Sequence, residues 1–86
     1  MAVMMMFSIR DDKAESFQIP VVFPTKGVMT RALADAVNKT GSTDLYATHP
    51  SDFSVYHVAD FDSDSGVVTP LAPVVLVHKL SDLVLE

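Results

Sequence analysis

Three histidines, a run of alternating aspartates and a scatter of cations among aromatics are the side chains here that can do chemistry. His49, His57 and His78 are candidate zinc ligands. They stand eight and twenty-one residues apart, which matches no short ligand motif. His57 falls on an otherwise apolar stretch and reads as a half-buried histidine satisfied by a neighbour. His49 precedes Pro50 and reads as a loop-shaping residue. Asp60-x-Asp62-x-Asp64-x-Gly66 invites a calcium-loop reading. Such a loop carries glycine at its sixth position and a bidentate glutamate at its twelfth. Counted from Asp60, those positions hold Ser65 and Leu71. The run reads instead as an acidic, solvated hairpin turn, and no metal is expected.

Nucleophilic catalysis has no foothold. There is no cysteine and no Gly-x-Ser-x-Gly elbow. Gly27, Gly41 and Gly66 are too far apart for a phosphate-cradling loop. No catalytic residue, no cofactor and no enzymatic activity are expected. Binding of single-stranded DNA is a different matter, because it needs only a cationic groove and aromatic stacking platforms. Arg10 and Lys13 sit in one charged segment, and Lys26, Arg31 and Lys39 fall on or near the polar face of a helix. Tyr56, on the more polar face of its strand, is the best stacking candidate. Against this stand six basic residues to eleven acidic ones and a net charge of −5, where phosphate binding rests on a basic surface. The favoured reading places the phenylalanines in the core and the charges in solvent.

The elements that would position these residues follow from periodicity. Residues 2–9 alternate as a strand, with Val3, Met5, Phe7 and Ile9 on one face and Ala2, Met4, Met6 and Ser8 on the other. Both faces are fairly apolar, so the strand is expected to be central or covered on both sides. The methionines from Met1 to Met6 also suit an adaptable surface between subunits. Arg10-Asp11-Asp12-Lys13 reads as a charged turn, and residues 14–18 are ambiguous. Pro20 and Pro24 hold residues 19–24 extended, at an edge or in a loop. Thr25 is an N-cap for a single amphipathic helix over 26–39, with Val28, Met29, Ala32, Leu33, Ala36 and Val37 inward and Gly41 as the residue just past its end. Residues 40–52 read as polar turns and 53–61 as a strand. Asp62-Ser63-Asp64-Ser65-Gly66 reads as a hairpin turn, 67–69 as a return strand broken by Pro70 and Pro73, and 74–80 as a further strand. Residues 81–86 either extend it or form a short turn of helix. The order predicts an α+β domain, one amphipathic helix on a mainly antiparallel sheet.

The 86 residues form one domain, 1–86, and 49% of them are hydrophobic against 20% charged, which argues for a folded globule. A chain this short buries a modest share of its surface, and its sheet exposes edges. A homo-oligomer, dimer or higher, is therefore expected to complete it. The apolar start stops at Ser8 with no preceding basic residue, unlike a signal peptide. No run approaches the ~20 apolar residues of a membrane span, so no membrane partner is expected. The lack of cysteine is compatible with a reducing cytoplasm.

A wider pattern joins these pieces. Lys13-Ala14 precedes Phe17 and Pro20; Asp35-Ala36-Val37-Asn38 lies in the helix. His49-Pro50-Ser51-Asp52-Phe53 follows, then Asp60-Phe61-Asp62 before Gly66-Val67. In this order and spacing the chain resembles the small nonstructural protein family of gokushoviruses, tailless single-stranded DNA phages of the Microviridae. The resemblance runs from about residue 7 to 71. It departs in the Met-rich start, in Ser51 where an acidic residue is common, and in Ala59 where glycine is common. The tail after Pro73 matches poorly. The resemblance singles out His49, Pro50, Asp52 and Phe53 as a motif loop and brings no catalytic or metal residue. It implies a nonstructural protein of the host cytoplasm, outside the mature virion. Its implied role is in viral single-stranded DNA synthesis and genome packaging, through contacts with the replication complex or the procapsid. The alternative is an oligomer that binds single-stranded DNA directly.

Overall fold

In the computed structural model, which describes residues 2–85, the apolar N-terminal run forms strand β1 (Val3–Asp11). Met1 of the methionine stripe and Glu86 of the tail lie outside the described residues. The strand continues two residues beyond its expected end. Arg10 and Asp11 are strand residues paired with Phe17 and Ser16 of β2 (Ser16–Phe17). The charged turn therefore begins at Asp12. The Asp11 carboxylate accepts from the amides of Lys13 and Ala14 at 3.0 and 3.1 Å and shapes it.

Strand β3 (Val21–Phe23) follows on the same side of β1, with Met5 opposite Phe23 and Phe7 opposite Val21. It lies between Pro20 and Pro24, as the prolines require. Strand β4 (Phe53–Asp62) covers the other side of β1 along its whole length. Strand β5 (Val68–Lys79) pairs with β4, giving the order β2-β1-β4-β5, and all of these pairings are antiparallel. The fold is thus the expected α+β arrangement, and β1 is central.

The return segment differs from expectation. Pro70 and Pro73 do not split it into two strands. Ala59 pairs with Pro70 and His57 with Val75, so the extra residues between them bulge out while one strand continues. Prolines are tolerated on this strand because, among the described residues, nothing pairs with its far edge.

Helix α1 (Lys26–Val37) is capped by Thr25, whose hydroxyl accepts from the Val28 amide. It ends two residues early, and the reason is Asn38. Its side-chain amide donates to Ala34 O and to Leu83 O, both at 2.8 Å, and its Oδ1 accepts from the Leu85 amide at 2.8 Å. One side chain closes the helix and ties down the C-terminal segment. Gly41 has a positive φ of 75°, but it lies beyond the cap, in the following turn. The inward line of the helix is Met29, Leu33 and Val37, whereas Val28 and Ala32 are exposed, contrary to expectation. Residues 40–52 are not all turn: a short helix α2 (Leu45–Thr48) and a 3₁₀ turn (Pro50–Asp52) lie within them. The tail begins with another 3₁₀ turn, Leu80–Leu83.

Phe7, Met29, Val37, Phe53, Val55 and Leu80 form the core between helix and sheet, with Met5, Ile9, Phe23, Leu33, Tyr46 and Val77 around it. A small cavity of about 200 Å³ remains between β1, β3 and α1, with Gln18 and Tyr46 among its lining residues. No helix among the described residues is long and apolar enough to cross a membrane.

Candidate functional site

Alternation along β1 and β4 decides which side chains face away from the helix. Ile9 and Val55 pack on the core, so Ser8, Arg10, Ser54 and Tyr56 point to the outer face of the sheet. Strand β2 adds Phe17 there. The Phe17 and Tyr56 rings meet edge to face, with centroids 5.2 Å apart. The Arg10 guanidinium lies 6.0 Å from the Phe17 ring centre, at the outer limit for cation–π attraction.

The same guanidinium donates to Asp12 Oδ1 at 2.8 Å. Asp12 Oδ2 accepts from the buried Ser54 hydroxyl at 2.7 Å. Burial pushes the Asp12 carboxyl up, but the hydrogen bonds from Ser54 and Arg10 and the charges of Arg10 and Lys79 outweigh it. The net effect holds the group below its ordinary 3.8. Beside this cluster lies a shallow apolar depression of about 260 Å³, lined by Ser8, Phe17, Gln18, Pro20, Val58 and Val74. Ser8 is satisfied by the Gln18 carbonyl at 2.6 Å. The outer face is therefore largely apolar and aromatic, with Arg10 paired to Asp12 and with Lys79 of β5 opposite Ser54.

The candidate DNA-binding residues are not gathered into one groove. Arg10 and Tyr56 are brought together, through Phe17. Lys13 is exposed in the β1–β2 turn. Lys26 and Arg31 are exposed on α1, and Lys39 follows the helix, so these three belong to the side of the sheet opposite Arg10 and Tyr56. Phe17, Asp12 and Ser54 are the members of the outer cluster that sequence reasoning did not select. The signal was the β1–β2 hairpin, which a strand of only two residues hides.

His49-Pro50-Ser51-Asp52-Phe53 forms the entry to β4. His49 closes α2 with its amide on Leu45 O, and Pro50 opens the 3₁₀ turn. The Asp52 amide donates to His49 O at 3.1 Å, and Asp52 O accepts from the Asp12 amide at 2.9 Å. Phe53 is buried and meets Tyr46 edge-on at 4.9 Å. The motif loop thus joins β4 to the β1–β2 turn. The Tyr46 hydroxyl donates to Gln18 Oε1. Burial raises its pKa, the Asp44 and Asp11 charges add to this, and the Gln18 bond only partly opposes it.

The histidines are apart. His57 contacts Asp60 Oδ1 at 2.8 Å and stacks near Phe7, with centroids 5.4 Å apart. Strict alternation would put His57 and Asp60 on opposite faces. An extra residue at Val58, unpaired with β1, brings them together. His78 Nε2 lies 3.0 Å from Thr30 Oγ1 on α1. The aspartate run forms the β4–β5 turn: Asp62 Oδ1 accepts from the Asp64 amide, and Gly66 takes a φ of 78°. Among the described residues no group of three or more His, Cys, Asp or Glu side chains is placed to hold a metal ion.

A family model described as Phage ORF5 protein matches residues 4–83. No curated protein and no solved structure matches the chain.

Proposed function

The chain belongs to the Phage ORF5 protein family, and on that premise we propose that it is a nonstructural accessory protein acting in viral single-stranded DNA synthesis and genome packaging through protein–protein contacts. The phage is a gokushovirus in this reading, on the strength of the ordered motifs from Lys13-Ala14 to Gly66-Val67. The protein works in the host cytoplasm, without enzymatic activity, on the replication complex or the procapsid.

One observation carries the preference for protein contacts. The outer sheet face and β5 expose apolar side chains, among them Phe17, Val68, Val74, Val75 and Leu76, while the cations are divided between the two sides of the sheet. A contiguous exposed apolar surface favours a protein partner. A phosphate backbone needs cations along one path.

The alternative, direct binding of single-stranded DNA, draws support from the Arg10, Phe17 and Tyr56 cluster on the exposed face. Fluorescence anisotropy with a labelled oligonucleotide across a salt series separates the readings. Protein contact as the mode of action predicts no saturable binding even at low salt. Tight binding that weakens steeply with salt and is lost in Tyr56→Ala would overturn it in favour of the DNA reading.

A further inference from the structure

The cavity between β1, β3 and α1 has a volume of about 200 Å³. Met29 and Val55, both buried, line it from the core, while its lining residues Ile19 and Val21 are 89 and 55% exposed and mark its mouth. Gln18 and Tyr46 are the only lining residues with polar side chains, and their polar ends bond to one another. The interior thus offers a water no partners, and an apolar cavity of about 150 Å³ is already large enough to take up benzene. Ile19 keeps its apolar surface in water at the mouth, where a bound partner would cover it.

A second, shallower depression adjoins the first. Gln18 and Tyr46 line both, and in the second they are joined by Asp11, Asp44, Leu45 and Phe53. The Asp11 and Asp44 carboxylates accept from backbone amides of their own turns. Among the described residues neither takes part in an ion pair. Burial and then the charges of Asp44 and Asp11 raise the Tyr46 pKa, and only the Gln18 bond opposes them, so no cation offsets the negative potential at this ring. An apolar hole therefore opens beside two uncompensated carboxylates.

We propose that the two depressions together dock a segment of a partner protein that presents an aromatic side chain next to an arginine or lysine. The ring enters the cavity and the cation lies against Asp11 and Asp44. The volume and lining of the cavity select the ring, and charge complementarity selects the cation. Aromatic residues and arginine are also the side chains that most often anchor protein interfaces. The site lies on the helix side of the sheet, away from the outer face, and so goes beyond the proposed function. It can fail while the role in viral DNA synthesis stands, and the reverse.

The test uses the full chain, isotope-labelled and titrated at low ionic strength with the capped pentapeptide Gly-Arg-Phe-Arg-Gly. Saturable NMR shifts of the Val21, Leu33 and Val55 methyl signals are expected. Alanine in place of the peptide's phenylalanine is expected to weaken binding at least about tenfold, through the lost burial of one ring. Glutamate in place of both arginines is expected to abolish it. Asp11→Asn combined with Asp44→Asn removes both charges while the side-chain oxygens still accept the same backbone bonds. That variant is expected to bind about fivefold more weakly, as two exposed ion pairs would dictate. Val21→Phe, which sets a ring in the mouth of the cavity, is expected to block binding. The comparison of peptides on the wild-type chain keeps the test decisive if a variant folds poorly. No saturable shift with the arginine peptide overturns the proposal. So does equal binding of the glutamate peptide. Uptake of toluene into the cavity without peptide binding also overturns it, and would assign the cavity to small apolar molecules.

Discussion

Ser54 donates its hydroxyl to Oδ2 of Asp12 at 2.7 Å, from a position only 2% exposed and 42 residues away in the chain. With the backbone bond from Asp12 N to Asp52 O, it binds the β1–β2 turn to the start of β4. Hydrogen bonds to a charged group contribute about 1.5–3 kcal/mol. Asp12 is about a quarter exposed, so screening brings the expected loss in Ser54→Ala to about 1 kcal/mol.

The sign of the pH dependence follows from the lowered Asp12 pKa. A depressed carboxyl stabilises the fold above its unfolded value of 3.8 and loses that contribution as pH falls through the folded value. The stability gap between wild type and Ser54→Ala is therefore full at neutral pH and narrows below pH ~3.8. Urea melts at neutral and acid pH measure it. A gap that widens in acid contradicts the assignment.

Asn38 offers a separate test. Two of its three side-chain bonds join α1 to the C-terminal segment, and the third closes the helix on Ala34 O. Asn38→Ala is expected to destabilise by about 2 kcal/mol, allowing about 1 kcal/mol for each net hydrogen bond and a discount for exposure. Hydrogen exchange at the Leu85 amide is expected to accelerate more than at β4 amides. Equal acceleration at both would mean that Asn38 acts on global stability alone.

Much of this was legible in the sequence, and the exceptions have physical causes. The central strand, Thr25 as N-cap, the single main helix and Gly66 at positive φ all follow from periodicity and local chemistry. The β1–β2 hairpin was missed because Ser16 and Phe17 make too short a strand to alternate. The contact between His57 and Asp60 was missed because the bulge at Val58 breaks the two-residue period on which the reading relied. β5 read as two strands because proline excludes central strands, and the sequence does not say which strand is an edge. The clustering of Arg10 with Phe17 and Tyr56 is a tertiary consequence of that unread hairpin.

Glu15 holds a φ of 56° in the β1–β2 turn, a left-handed conformation that costs a residue other than glycine about 1–2 kcal/mol. Asparagine tolerates this region better. Glu15→Asn is expected to raise stability by about 0.5 kcal/mol, a fraction of that strain. A higher urea midpoint at unchanged slope checks it; a lower midpoint contradicts it.

Tyr46 is one of two tyrosines, and burial holds its hydroxyl above the ordinary 10.0. A raised pKa of this kind stabilises the fold below pH ~10 and is lost as pH climbs through the folded value. Spectrophotometric titration is expected to show a late phenolate step that disappears in Tyr46→Phe. A late step that persists in the variant refutes the assignment.

Cells infected with a phage lacking this gene, with and without the chain supplied in trans, are probed for duplex and single-stranded viral DNA. Without the chain, duplex viral DNA is predicted to accumulate while single-stranded genomes and filled particles fall sharply, and the wild-type chain restores both. Single-stranded genomes and particles at normal yield without the chain would contradict the account.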